Sequence, residues 1–224
     1  MKELADGVWH IKCLPGMPWA VNAYLVGDVL VDAGCRQSTG RILKQLDGHE
    51  VTRHALTHAH PDHQGASRDL CQKLDVPFLC SELDKPAAED PKLIDERQPD
   101  KFMAHFFWRI FHGPGHPVDE LIAEGDELAG FQVLDVPGHS AGHVAFWRES
   151  DRVLILGDVL NNMNVITGIP GLHEPRADLT PDPVRNRESA RRLAALEPEL
   201  ACFGHGAPLR DPRKLSDFVA GLPG

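Results

Sequence analysis

Between Thr57 and His63 the chain reads Thr-His-Ala-His-Pro-Asp-His, with four metal-capable side chains within six positions. Extended backbone sends residues i and i+2 to the same side, so His58 and His60 can converge on one ion. Asp62 and His63 lie past Pro61, where the chain can turn into a helix, and can face a neighbouring ion. Imidazole and carboxylate ligands without thiolates suit zinc, iron or manganese, and a bridging carboxylate helps hold two cations about 3.5–4 Å apart. Such a centre lowers the pKa of bound water to about 7 and supplies a nucleophile without serine or cysteine.

With thirteen histidines in the chain, one cluster of this kind can arise by chance. Three further positions change the weight. Pro137-Gly138-His139, Leu156-Gly157-Asp158 and Phe203-Gly204-His205 each close an apolar run with a metal-capable residue, in the order one fold would need.

The elements that must position these groups follow from periodicity. Residues 7–13, 21–27 and 28–34 read as short strands, the last two joined as a hairpin across Gly27-Asp28. Ile42, Leu43 and Leu46 on one face predict a helix over 38–47. A strand over 51–58, a helix over about 63–74 and a strand over 76–80 come next. Residues 81–127 break the rhythm and read as a helical insertion, with Phe102, Phe106, Phe107, Trp108 and Phe111 packing in the core or at a homodimer contact in preference to lining a pocket. Strands over 131–136, 143–148 and 152–158, a polar loop to about 181, a helix over 184–196, a strand over 200–205 and a final short helix complete two αβ halves of a single domain, 1–224.

The composition sets the class. A chain of 224 residues with 42% hydrophobic residues can bury one large core. A formal charge of −10 without a basic run argues against a nucleic-acid partner. No segment has the length of a membrane span or the form of a signal peptide, so the expectation is a soluble, cytoplasmic protein acting on a small molecule, with no membrane partner. Five scattered cysteines without CxxC spacing read as free thiols.

With these motifs in place, the chain resembles the metallo-β-lactamase superfamily, and within it the hydrolase branch that includes glyoxalase II enzymes and acyl-homoserine lactonases. The resemblance runs from the DVLVDAG strand to the GHG near the end. It implies an α/β fold, a four-layer αβ/βα sandwich with two divalent metal ions at one edge, zinc in the first instance. It further implies that His58, His60 and His139 hold one ion, that Asp62, His63 and His205 hold the other, and that Asp158 bridges them. Asp32 would support the metal loop by hydrogen bonding. The implied reaction is attack of a metal-bridging hydroxide on an ester, thioester or lactone carbonyl, with Asp62 as the catalytic proton carrier. Asn161 stands where acyl-homoserine lactonases carry a substrate-contacting tyrosine, and so becomes a candidate substrate contact.

His10, His49, His54, His105, His112, His116, His143 and His173 read as surface or structural groups, with His143 opening a strand on the far side of the His139 loop. The resemblance also offers a persulfide dioxygenase, with one iron on His58, His139 and Asp158. A non-catalytic metal-binding scaffold is the reading from a different class; its mark would be a broken ligand set, and this set is intact. A nuclease shares the central motif but conflicts with the acidic charge.

Overall fold

The computed structural model describes residues 1–14, 21–93 and 110–223. Its largest element is a seven-stranded sheet in the spatial order β1 (Lys2–Ala5), β2 (Val8–Lys12), β3 (Asn22–Val26), β4 (Val29–Val31), β5 (Arg53–Ala55), β6 (Phe78–Cys80) and β7 (Glu120–Leu121). A second sheet contains β8 (Glu127–Leu128), β9 (Phe131–Asp135), β10 (Val144–Arg148), β11 (Val153–Gly157) and β14 (Leu200–Phe203), with β14 beside β11. A small hairpin joins β12 (Asn161–Met163) to β13 (Pro170–His173).

Alternation along the strands builds the layers. Val8, Tyr24, Val26, Val29 and Val31 of the first sheet share one buried cluster with Phe131, Val133, Val144, Phe146, Val153 and Ile155 of the second. The intervening residues face outward. Ala23, Leu25 and Leu30 pack on Ile42 and Leu46 of α1 (Thr39–Leu46) and on Leu70 of α3 (Ser67–Leu74). Ala145, Trp147, Leu154 and Leu156 pack on Ala190 and Leu193 of α5 (Pro183–Ala194) and on Leu215 and Val219 of α6 (Pro212–Ala220). Helix, sheet, sheet and helix thus form the four expected layers.

Both outer helices of the second half begin at Asp-Pro, and the aspartate caps its own helix. Asp182 accepts from the Arg185 N–H, and Asp211 from those of Arg213 and Lys214.

Parallel pairing decides where the functional residues gather. Strands β4, β5 and β6 run the same way, as do β11 and β14, while β9 is antiparallel to β10 and β10 to β11. The C-terminal ends of β9, β11 and β14 therefore lie along one edge of the second sheet, and those of β4, β5 and β6 along one edge of the first.

Three expectations need correction. Strand β1 lies in a segment read without structure. Within 81–127 the structure shows α4 (Lys85–Glu89), but β7 extends the first sheet and β8 pairs with β9, so the C-terminal part is sheet rather than helical insertion. Phe102, Phe106, Phe107 and Trp108, with the homodimer contact assigned to them, fall outside the described residues. The loop expected over 159–181 contains the β12–β13 hairpin, whose run Asn-Asn-Met lacks the apolar alternation that marks a strand. Among the described residues no helix is long and apolar enough to cross a membrane.

Candidate metal centre

After β5 the chain bends at Thr57, is extended at His60 (φ −80°, ψ 151°) and then enters the short helix α2 (Pro61–Gln64), with Pro61 at its first position. His58 and His60 consequently lean together, His58 Nε2 lying 3.1 Å from His60 Nδ1. His139 follows β9, Asp158 follows β11 and His205 follows β14. All seven candidate ligands come together. Among the described residues their donor atoms form three overlapping groups within 4.8 Å: His58, His60 and His139; His58, His63 and Asp158; Asp62, His63 and His205.

Asp158 sits between them. Its Oδ1 lies 3.5 Å from His63 Nε2, and its Oδ2 lies 3.7 Å from His139 Nε2 and 3.2 Å from His205 Nε2. His205 Nε2 is also 3.2 Å from Asp62 Oδ2. Asp62 is the open member of its group, its side chain 29% exposed against 4% for His205. The close approach of β14 to β11 requires Gly204, where a Cβ would fall 2.0 Å from Asp158 Oδ1.

The surroundings fix which ring nitrogens face the centre. Thr57 Oγ1 donates to the Asp32 carboxylate at 2.9 Å, so it accepts from His58 Nδ1 at 3.0 Å. Thr180 Oγ1 donates to the Arg176 carbonyl and therefore accepts from His139 Nδ1 at 3.1 Å. His63 Nδ1 donates to Asp32 Oδ2 at 2.9 Å. In each ring the Nδ1 proton is spent outward and Nε2 is left for the centre. The Nε2 atoms of His63 and His139 are buried without a hydrogen-bond partner, which costs free energy in a protein interior and suits metal ligation. The residues present thus fit divalent metal ions.

Asp32, held at φ 61°, binds the Thr57 N–H, the Thr57 hydroxyl and His63. Asn161 is buried, and with its amide nitrogen turned inward it donates to Asp158 Oδ1 (3.3 Å) and to the Leu160 carbonyl (3.2 Å), an orientation that braces the central carboxylate. His143 also lies nearer than expected. Its ring centroid is 4.5 Å from that of His58, although it enters none of the three ligand groups.

Sequence reasoning missed Asn22, Tyr24 and Asp84. Asn22 donates to the carbonyls of Phe203 and Gly206, and the Tyr24 hydroxyl donates to that of Phe203, so β3 holds the His205 loop. Asp84 follows β6 and binds both of the loops that carry His58, His60 and His139. Its signal was positional: β6 ends on the same edge as β4 and β5.

The electrostatics divide the centre. Burial, reinforced by neighbouring imidazoles, holds His58 and His139 well below the usual histidine range, and burial likewise lowers His60. On the other side burial is outweighed by carboxylates: Asp158 and Asp32 hold His63 well above its usual value, and Asp158 and Asp62 raise His205 to about 10. Burial opposes ionisation of Asp158 and Asp62 too, but His205 and His63 keep both carboxyls low.

Residues 16–205 match the family model described as the metallo-beta-lactamase superfamily. The chain belongs to the metallo-β-lactamase superfamily. Its relatives include the probable metallo-hydrolase YflN of Bacillus subtilis (strain 168), 30% identical over 85% of this chain and 80% of that one. A shorter match, 47% identical over 47 residues, covers 19% of this chain and 18% of a hydroxyacylglutathione hydrolase of Methylococcus capsulatus (strain ATCC 33009 / NCIMB 11132 / Bath). Among solved structures, that of TTHA1623 in a di-iron-bound form superposes with a TM-score of 0.68 at 32% identity, covering 90% of this chain and 94% of that one. Membership makes the chain a metallo-hydrolase-type protein and agrees with the His/Asp cluster at the strand ends.

Proposed function

We propose that this chain is a dinuclear metal-dependent hydrolase that cleaves an ester, thioester or lactone carbonyl in a small molecule. The observation that carries the reading is the place of Asp158, whose carboxylate lies within 3.7 Å of His139 Nε2 of one group and within 3.5 Å of the Nε2 atoms of His63 and His205 of the other. In this reading His58, His60 and His139 hold one ion, Asp62, His63 and His205 the other, and Asp158 both. Zinc is the first expectation; the nitrogen and oxygen donor set also accommodates iron or manganese, and the TTHA1623 relative binds two irons.

When bound, the ions supply hydroxide at neutral pH and polarise the carbonyl oxygen. The protein's own residues do the rest. Asp32, Thr57 and Thr180 fix three imidazoles, so little reorganisation is left for the reaction. Asp158 offsets cationic charge at the middle of the site. Asp62, the partly open carboxylate, orients the nucleophile and carries its proton to the leaving group. The short match to a hydroxyacylglutathione hydrolase favours including thioesters in the substrate range.

The test is a paired panel: aryl esters, lactones and thioesters of increasing acyl length against bis-aryl phosphodiesters with the same leaving group, each with zinc, manganese and iron. The expected result is turnover of carbonyl substrates exceeding that of phosphodiesters. Phosphodiester cleavage alone would overturn the reaction class. Oxygen consumption with a persulfide at one iron per chain would instead identify a dioxygenase, and metal binding without any turnover a scaffold.

A further inference from the structure

The segment Asp84-Lys85-Pro86 is like Asp182-Pro183 and Asp211-Pro212 with a lysine inserted, and in those two pairs the aspartate caps the helix that follows. Asp84 is likewise the N-cap of α4, yet its side chain makes no capping bond. Although only 3% exposed, the carboxylate turns away from its own helix. Its Oδ2 accepts from the Ala59 N–H at 3.0 Å and from the Ser140 hydroxyl at 2.7 Å, and its Oδ1 accepts from the Gly142 N–H at 3.0 Å.

Those donors belong to two different ligand loops. Ala59 lies between His58 and His60, and Ser140 follows His139. The contact is tight: a Cβ on Gly142 would come within 2.9 Å of Asp84 Oδ1 and 2.2 Å of Ser81 Oγ, whose hydroxyl donates to the Gly142 carbonyl. Giving up a cap sacrifices a contribution of about 1 kcal/mol to a short helix. The same carboxylate satisfies three buried donors instead, and hydrogen bonds to an ionised acceptor are the stronger kind.

We infer that Asp84 is a positioning residue of the metal centre, which holds the His58/His60 loop and the His139 loop in register and so sets the affinity of the ion position formed by those three histidines, but not that of the Asp62/His63/His205 position. This inference rests on the two-ion reading above. Among the described residues no hydrogen bond of Asp84 reaches a residue of α2 or the His205 loop; in α2 His63 bonds to Asp32 and Gln64 to the Ala59 and Ala87 carbonyls, and the His205 loop is held by Asn22 and Tyr24.

The test is a zinc titration of the full chain, by competition with a chromophoric chelator, in backgrounds that each retain one position. His205→Ala leaves the all-histidine position and His139→Ala the other. Asp84→Asn keeps the side chain's shape but has a single acceptor oxygen, so it cannot accept both on the Ala59/Ser140 side and on the Gly142 side. In the His205→Ala background it is expected to weaken zinc about 10–100-fold, the usual effect of losing a partner that orients ligands. In the His139→Ala background the loss is expected to stay below about 3-fold, with Asp84→Glu restoring part of the affinity in the first background. Ser140→Ala, a milder change, should reproduce the same direction if Asp84→Asn does not fold. Equal losses in both backgrounds would mark general destabilisation and overturn the inference, as would no loss in either. Wild-type stoichiometry tests the two-ion reading separately: with one zinc per wild-type chain that reading fails, while the Asp84→Asn to wild-type ratio at the remaining ion still reports on Asp84.

Discussion

The two halves of the centre solve the same problem by opposite means. Around His58, His60 and His139 the protein excludes water and lets burial keep the imidazoles neutral, so their lone pairs are available near pH 7. Around Asp62, His63 and His205 it supplies carboxylates, which favour the protonated forms of His63 and His205 in the metal-free chain, so that an ion bound there would have to displace protons. One half is prepared by desolvation and the other by charge. Asp158 touches both, and its loss should therefore have the largest effect.

Asp158→Asn removes the charge that either half needs. Turnover of the best carbonyl substrate is expected to fall by at least about 100-fold, on the scale of losing one preorganised electrostatic element. Circular dichroism should show a folded protein, and elemental analysis a reduced metal content. Full activity with two ions retained would show that the halves do not share this carboxylate.

Proton release distinguishes the halves directly. In the His139→Ala background zinc must displace protons from His63 and His205, so apparent affinity rises with pH by up to about 100-fold per unit, two protons' worth. In the His205→Ala background the histidines are already neutral above about pH 6.5 and affinity should be nearly flat. Calorimetry in buffers of different ionisation enthalpy counts the protons, and equal counts in the two backgrounds would erase the contrast.

Asn161→Ala tests the brace on Asp158 and is expected to lower kcat about 10-fold with KM little changed. A change confined to KM would return Asn161 to the substrate-contact role suggested by its sequence position.

The metal-free protein carries the same division into its stability. Burial lowers His54 to about 4 and His143 to about 3, against about 6.5 in an unfolded chain. Below pH 6.5 the unfolded chain takes up protons that the folded one refuses, so these two groups destabilise the fold as pH falls towards 4. Asp62 and Asp158, held low when folded, act in the same direction as pH falls further. His205 has the opposite sign: raised to about 10, it contributes stability below pH 6.5 that is lost as pH rises through 10. Thermal melts of the metal-free chain should therefore give a Tm that drops from pH 6.5 to 4, and a rising Tm would contradict these assignments.

His143→Asn is expected to matter least. Its ring packs on His58 but bonds to no ligand, so activity should fall by less than the roughly 10-fold typical of a bonded partner.

The contrast also explains what could be read in advance. Metal-capable side chains have a chemical signature, and His58 to His63 carry it within one short run, while His139, Asp158 and His205 each end an apolar strand. The strands themselves were legible because both sheets are covered on both faces, which leaves unbroken apolar runs such as Val153–Gly157. Asp84 was not legible, since two of its three partners are main-chain N–H groups and its own neighbours spell an ordinary helix start. The bond of Asn161 to Asp158 was not legible, because sequence position gives a residue's address but not the direction of its side chain. The β12–β13 hairpin was hidden because neither Asn-Asn-Met nor Pro-Gly-Leu-His carries the apolar alternation of a strand.

In the proposed centre one carboxylate joins two metal positions of different character. Anomalous diffraction from crystals of the full chain grown with zinc tests it most directly. The expected result is two peaks about 3.5–4 Å apart, one among His58, His60 and His139 and one among Asp62, His63 and His205, with Asp158 between them. A single peak on His58, His139 and Asp158, unchanged by excess metal, would contradict it.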